Sequence, residues 1–194
     1  MCGRYTLRNS KAIKEKHLLN IDVSYNIAPS YQVLTLTTEP TFMKWSYSPT
    51  WAKKPMNLIN ARSETLNVKP SFKMAKRCLI IADGWFEWLR TNHSKQPYFF
   101  HMKDDLLSFA GIYTEYNGEG GCAIITKEAT KHLSEVHHRM PVIIADDDAD
   151  SWLSGEDVFD SKLSESIDFY PVSTIVNSPR NNNIDCIKQI STAL

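Results

Sequence analysis

The sequence predicts an α+β fold in which a mostly antiparallel, barrel-like β core carries a few peripheral helices. Short apolar or alternating runs rich in Val, Ile, Tyr, Phe and Thr recur along the chain at strand-like lengths. The few helical patterns interrupt these runs without the regular alternation of βαβ units. Size agrees: 194 residues fit one domain, residues 1–194, and no repeat, low-complexity tract or Pro/Gly-rich linker divides them.

The elements follow in order. Ser10 can cap a helix over Lys11–Leu19. Gln32–Thr37 and Thr41–Trp45 have strand composition, and Pro70 or Ser71 can open a short helix through Lys76. Four more strand-like runs follow at Arg77–Ala82, Pro97–Met102, Leu106–Tyr113 and Cys122–Thr126. Lys127–His137 has helical spacing and is stopped before Pro141, which leads into a strand at Val142–Ala145. Asp147–Leu153 is helical with acids near its start, and Asp168–Val172 is the last strand.

Composition narrows the class of protein. With 42% hydrophobic and 23% charged residues, a disordered or fibrous chain is excluded. No apolar run approaches the ~18–20 residues of a membrane span. The start Met-Cys-Gly-Arg-Tyr-Thr lacks the pattern of a secretory signal, so the cytosol is the expected compartment. Cys2, Cys78, Cys122 and Cys186 form no C-x-x-C pair, which argues against a zinc ribbon and predicts free thiols. No metal or cofactor is expected. Net charge is zero but unevenly spread: residues 1–20 carry +4, residues 51–80 carry +6 and residues 146–168 carry −8. A basic face and an acidic face can therefore coexist, or these can be ordinary solvated surfaces.

Four positions could carry chemistry. Removal of Met1 before the small Cys2 would expose a 1,2-aminothiol, whose α-amine has a reference pKa of about 7.7–8.0 and is partly unprotonated at neutral pH. Such a group can form an imine with an aldehyde and close it to a thiazolidine through the thiol, or attack a carbonyl as an N-terminal hydrolase does. Glu87 lies between Phe86 and Trp88 after the turn Asp83-Gly84. Aromatic surroundings would desolvate its carboxyl and raise its pKa, unless it points to solvent from the sheet rim. In Asn60-Ala61-Arg62-Ser63-Glu64, Asn60 offers an amide and Arg62 a fork suited to phosphate, although a capped turn would use the same residues. His137, at the end of the predicted helix, would be favoured as a cation by the dipole and suited to proton transfer.

Together, Cys2-Gly3-Arg4-Tyr5, Tyr25-Asn26-Ile27-Ala28-Pro29, the Trp45…Pro49-x-Trp51 stretch, Asn60–Thr65, Ala82–Trp88, His137-His138-Arg139-Met140-Pro141 and Pro171-Val172-Ser173…Val176-Asn177 resemble the SRAP (SOS-response-associated peptidase) family. The blocks stand in family order and span nearly the whole chain. The resemblance implies a compact barrel-like domain that captures abasic sites in single-stranded DNA through a thiazolidine at Cys2. It implies that Asn60 holds the sugar, Glu87 is the acid/base of Schiff-base chemistry and His137 assists ring opening. Arg4 and Arg62 would contact phosphates, and the Trp45–Trp51 surface would meet DNA where it bends. Ser46 departs from the family, which commonly has glycine there. The implied partner is single-stranded DNA with an abasic site, including single-strand/double-strand junctions. No membrane partner is implied, and the protein would be a monomer, cytoplasmic and nucleoid-associated when bound. Two alternatives use the same residues: a thiol peptidase acting on peptides or on the Met1–Cys2 bond, and a non-covalent reader of damaged or modified DNA.

Overall fold

The computed structural model describes residues 2–92, 94–103, 105–159 and 162–191. Met1 lies outside them. The first sheet has the strand order β13-β8-β7-β1-β2, where β1 is Tyr5–Leu7, β2 Ser24–Ile27, β7 Gly84–Arg90, β8 Lys95–His101 and β13 Asp168–Pro171. The second is built from β3 (Gln32–Leu36), β4 (Pro40–Lys44), β6 (Lys76–Ala82), β9 (Leu107–Tyr116) and β10 (Glu119–Glu128), with β5 (Asn60–Arg62), β11 (Arg139–Pro141) and β12 (Ile143–Ile144) at its margins. Its pairings β3–β6, β6–β9, β9–β10, β10–β4 and β4–β3 form a nearly closed ring, the barrel-like core that the sequence predicts.

The longest strands do two tasks each. Along β10, Glu119–Ile124 pair with β9 and Thr126–Glu128 with β11, while Gly121 meets β4 and Ile124–Thr126 meet β5 on its other side. β10 thereby brings β5 and β11 to either side of Thr126. The main core includes Trp45, Ile80, Phe109, Ile124 and Trp152, all fully buried. A smaller apolar cluster of Phe86, Phe99, Val172, Val176, Cys186 and Ile187 covers the other face of the first sheet. β7 is therefore buried on both sides, which explains why Trp85 and Phe86 are adjacent large apolar residues rather than an alternating pair.

Helices are fewer than predicted. α1 (Ser10–His17) is capped by Asn9, whose side chain accepts from the Ala12 amide, rather than by Ser10. It ends at Leu18, in the left-handed conformation at φ 55°. The helix expected over Lys127–His137 is absent: β10 continues through Glu128 because β11 offers it a partner, and only Leu133–Glu135 forms a 3-10 turn. The helix expected from Pro70 is replaced by successive turns closed by Phe72 N–H to Lys69 O and Ala75 N–H to Phe72 O. Asp147–Leu153 is helical as expected, as a 3-10 turn running into α2 (Ala149–Ser154).

The charge segments do not remain separate faces. Lys16 of α1 pairs with Asp146 at 2.5 Å, and Arg77 of β6 pairs with Asp157 at 2.5 Å while stacking on Trp152. The acidic segment thus neutralises part of the basic ones. Lys53, Lys54, Arg62, Lys69 and Lys73 are solvent-exposed. Among the described residues no helix is long and apolar enough to cross a membrane.

Candidate active site

The pairing of β1 with β7 creates the site. Tyr5 stands opposite Trp85 and Thr6 opposite Gly84, and Phe86 N–H continues the ladder to Arg4 O at 3.0 Å. The antiparallel register then carries Cys2 and Gly3 alongside Glu87. Side chains alternate across a strand, so Glu87 follows Trp85 onto the face that looks into the main core. A side chain at Gly84 would overlap the Phe99 ring and the Phe100 carbonyl oxygen, so only glycine permits this approach of β7 to β8.

Cys2 is fully buried, and its thiol lies 3.8 Å from the Arg4 carbonyl oxygen. Burial, and after it the neighbouring Glu87, pushes the thiol well above its ordinary pKa. Asn60, the first residue of β5, donates from Nδ2 to the Cys2 carbonyl oxygen at 2.8 Å, and its buried Oδ1 has no hydrogen-bond partner among the described residues. Glu87 is 2% exposed, and burial raises its pKa to about 7. The expectation of a desolvated carboxyl holds, and the rim position does not. His137 Nδ1 lies 3.9 Å from Glu87 Oε2.

His137 reverses one expectation. It is not at a helix end, and no dipole favours its cation. Burial instead lowers its pKa to about 4. Between roughly pH 4 and 7 the facing pair is thus a protonated carboxyl and a neutral imidazole rather than an ion pair, despite their proximity. Cys2, Asn60, Glu87 and His137, drawn from four distant segments, are brought together.

The four candidate DNA-contact residues diverge. Arg62 is exposed and lies on the same side of β5 as Asn60, with buried Ala61 opposite. Trp51 is 57% exposed. Trp45 is fully buried, its ring 5.2 Å from Tyr5 and its Nε1 donating to Ile59 O, so it is a core residue with no surface to offer a ligand. Arg4 is half-buried and donates to Asn26 Oδ1, Val176 O and Asn177 O. These bonds explain why Asn26 and Val176-Asn177 belong to one pattern with Arg4. Ser46 donates to Asn57 Oδ1.

Sequence reasoning missed one part of the site. Arg139 is 9% exposed and forms a fork with Glu64, at 2.5 and 2.9 Å, while a guanidinium nitrogen also donates to Thr126 O. The signal was present in Asn60–Thr65 and His137–Pro141, but no sequence pattern says that a charge in one answers a charge in the other. Among the described residues, no cluster of three or more His, Cys, Asp or Glu is arranged to hold a metal ion.

The fold and site together define a β-barrel protein in which a buried cysteine, Cys2, lies beside a carboxyl, an imidazole and an amide. The chain belongs to the SRAP family: the family model "SOS response associated peptidase (SRAP)" matches residues 1–179. It is 36% identical to abasic site processing protein YoqW of Bacillus subtilis, over 97% of this chain and 99% of that protein. It is 32% identical to abasic site processing protein HMCES of Gallus gallus, over 76% of this chain and 56% of that longer protein. In fold it is similar to a solved structure from Bacteroides thetaiotaomicron, with a TM-score of 0.77 at 24% identity over 98% of this chain and 100% of the other.

Proposed function

We propose that the protein processes abasic sites, capturing them covalently in single-stranded DNA through Cys2 after Met1 is removed. Its relatives' names point to the lesion, and the chemistry of the site supports the covalent route. The observation that carries it is a buried, neutral Cys2 thiol beside a carboxyl of pKa about 7 and a neutral imidazole. A cysteine hydrolase needs a thiolate, usually obtained by depressing the thiol pKa; here burial and Glu87 do the opposite. An amine-first reaction has no such need.

The steps balance without an oxidant. The Cys2 α-amine adds to the aldehyde carbon of the ring-opened sugar, and water leaves to give an imine. The thiol sulfur then adds to the imine carbon and its proton passes to nitrogen, closing the thiazolidine with one water lost overall. Protonated Glu87 can give the proton that expels water, and neutral His137 can accept the hydroxyl proton as the sugar ring opens. Asn60 Oδ1 offers the sugar a hydrogen-bond acceptor. Arg62 and the exposed lysines around it supply backbone contacts with little base readout.

Single-stranded DNA with one abasic site, incubated with the mature protein and run on a denaturing gel, tests this reading. Wild type should give a heat-stable adduct, and Cys2→Ala none, with non-covalent binding kept within a few fold. A chain carrying an uncleavable amino-terminal extension should also bind and give no adduct, since its nitrogen is acylated while its thiol is intact. A stable adduct from either variant without borohydride overturns the thiazolidine. Turnover of peptides without an adduct would favour the hydrolase.

A further inference from the structure

We propose that Glu64 is a positioning residue for His137, acting through Arg139 across the width of β10. The proposal rests on the reaction proposed above and concerns residues outside its four-membered site. Glu64 follows β5 in the 3-10 turn Ser63–Thr65, and Arg139 opens β11. β5 and β11 flank β10 at Thr126, which pairs with Arg62 on one side and Pro141 on the other. The Arg139 guanidinium bridges this gap. It donates to both Glu64 carboxylate oxygens, at 2.5 and 2.9 Å, and to Thr126 O at 2.5 Å. A bidentate fork fixes direction as well as distance, which a single contact does not. It therefore sets the spacing between the strand that carries Asn60 and the segment that carries His137.

The other end of the clamp reaches the imidazole through the backbone. The Arg139 amide donates to His137 Nδ1 at 3.1 Å. The Arg139 carbonyl oxygen lies 3.2 Å from the same nitrogen and is its partner when Nδ1 carries the ring proton. In either tautomer Nδ1 is engaged by the Arg139 backbone, so holding Arg139 fixes the orientation of the ring. Glu64 can perform this because Arg139 keeps its carboxyl ionised, below the usual carboxylate range, although the side chain is half exposed.

Glu64→Gln and Glu64→Asp, each alone and combined with His137→Ala, test the clamp, with thermal unfolding as the control for folding. Single-turnover adduct formation should fall about 10- to 100-fold in Glu64→Gln, as small displacements of reacting groups do. It should recover in part in Glu64→Asp. Binding to undamaged single-stranded DNA should not weaken, because a negative charge has been removed. In the His137→Ala background Glu64→Gln should cost nothing further, because the group it positions is gone. The nitrogen-15 resonances of the His137 ring should shift between wild type and Glu64→Gln. A wild-type rate in Glu64→Gln overturns the proposal, as does an undiminished loss in the His137→Ala background or ring resonances that Glu64→Gln leaves unchanged. If the wild-type protein forms no adduct at all, the proposed reaction fails, and the ring resonances still decide whether Glu64 positions the imidazole.

Discussion

Asp83 and Glu87 stand at the two ends of one five-residue segment, both buried, and the chain uses them in opposite ways. Asp83 lies at the junction of β6 and β7, where its carboxylate accepts from the Thr6 hydroxyl at 2.5 Å, the Arg8 amide, the Asn9 amide at 2.8 Å and the Arg8 guanidinium at 3.0 Å. Its own amide donates to Thr6 O. The region around it is a knot that ties β1 and the start of α1 to the sheet. Glu87 is buried with an imidazole 3.9 Å away, and desolvation leaves it close to half-ionised at neutral pH. A carboxylate surrounded by donors is a structural anchor, whereas one whose two protonation states are nearly equal in free energy can transfer a proton.

The largest effect that distinguishes them is kinetic. Glu87→Gln preserves shape and removes the exchangeable proton, so adduct formation or its reversal should slow about 10²- to 10⁴-fold, with DNA binding and thermal unfolding close to wild type. Rapid-quench measurement of the adduct in both directions checks this. A variant that folds and reacts normally in both would make Glu87 a second anchor and remove the contrast.

Asp83→Ala should invert the result. Breaking a buried pair leaves Arg8 and two amides without their acceptor, at a cost of about 3–5 kcal/mol, with the lower end expected because Arg8 keeps partial contact with water. Urea unfolding should show the loss, while the adduct rate per folded molecule stays within a few fold. A rate loss like that of Glu87→Gln at unchanged stability would place Asp83 in the chemistry instead.

How much of this was legible differs between the same two regions. The strands of the barrel were readable because β-branched and aromatic residues crowd them. Lys127–His137 was misread because its spacing suits a helix, while the pairing of Lys127 and Glu128 with β11 outweighs local preference. Glu87 was found from its aromatic neighbours, and the resemblance identified its companions. Asp83 was taken only as a turn residue, since nothing in Asp83-Gly84 tells that Thr6, Arg8 and Asn9 will converge on it. Trp45 was misassigned because a tryptophan in a shared motif serves equally as a core ring or as a ligand surface, and only burial separates the two. The Glu64–Arg139 clamp joins residues 75 positions apart, a distance over which charge pairing leaves no local mark.

Among the arginines the same contrast is smaller. Arg77 is held by Asp157 and the Glu156 carbonyl oxygen, whereas Arg62 is exposed beside Asn60. Arg62→Gln should therefore reduce the slope of log K against log salt by about 0.7 for single-stranded DNA, the counterion release of one phosphate contact. Arg77→Gln should leave the slope unchanged. Fluorescence anisotropy over a salt series checks both, and equal slopes for the two variants would mean that the DNA path does not cross β5.

The smallest expected effect lies in the pH dependence of stability, where Glu87 and His137 oppose each other. Glu87 has a folded pKa of about 7 against an ordinary 4.5, so between these values the folded state holds a proton that the unfolded state has lost. Its contribution is fully present below pH 4.5 and is lost as pH rises through about 7, with a slope of at most about 1.4 kcal/mol per pH unit. His137 has a folded pKa of about 4 against 6.5, so the unfolded state binds the extra proton and stability rises with pH across that window. The two windows overlap from about pH 4.5 to 6.5, and there the slopes offset each other. Relative to wild type, Glu87→Gln should therefore gain stability with rising pH over this interval, His137→Ala should lose it, and the double variant should follow wild type. Urea unfolding at pH 4.5, 5.5 and 6.5 reads these differences, with every other titrating group common to the compared proteins. If Glu87→Gln tracks wild type across the interval, the carboxyl titrates as an ordinary glutamate, and desolvation no longer separates it from Asp83.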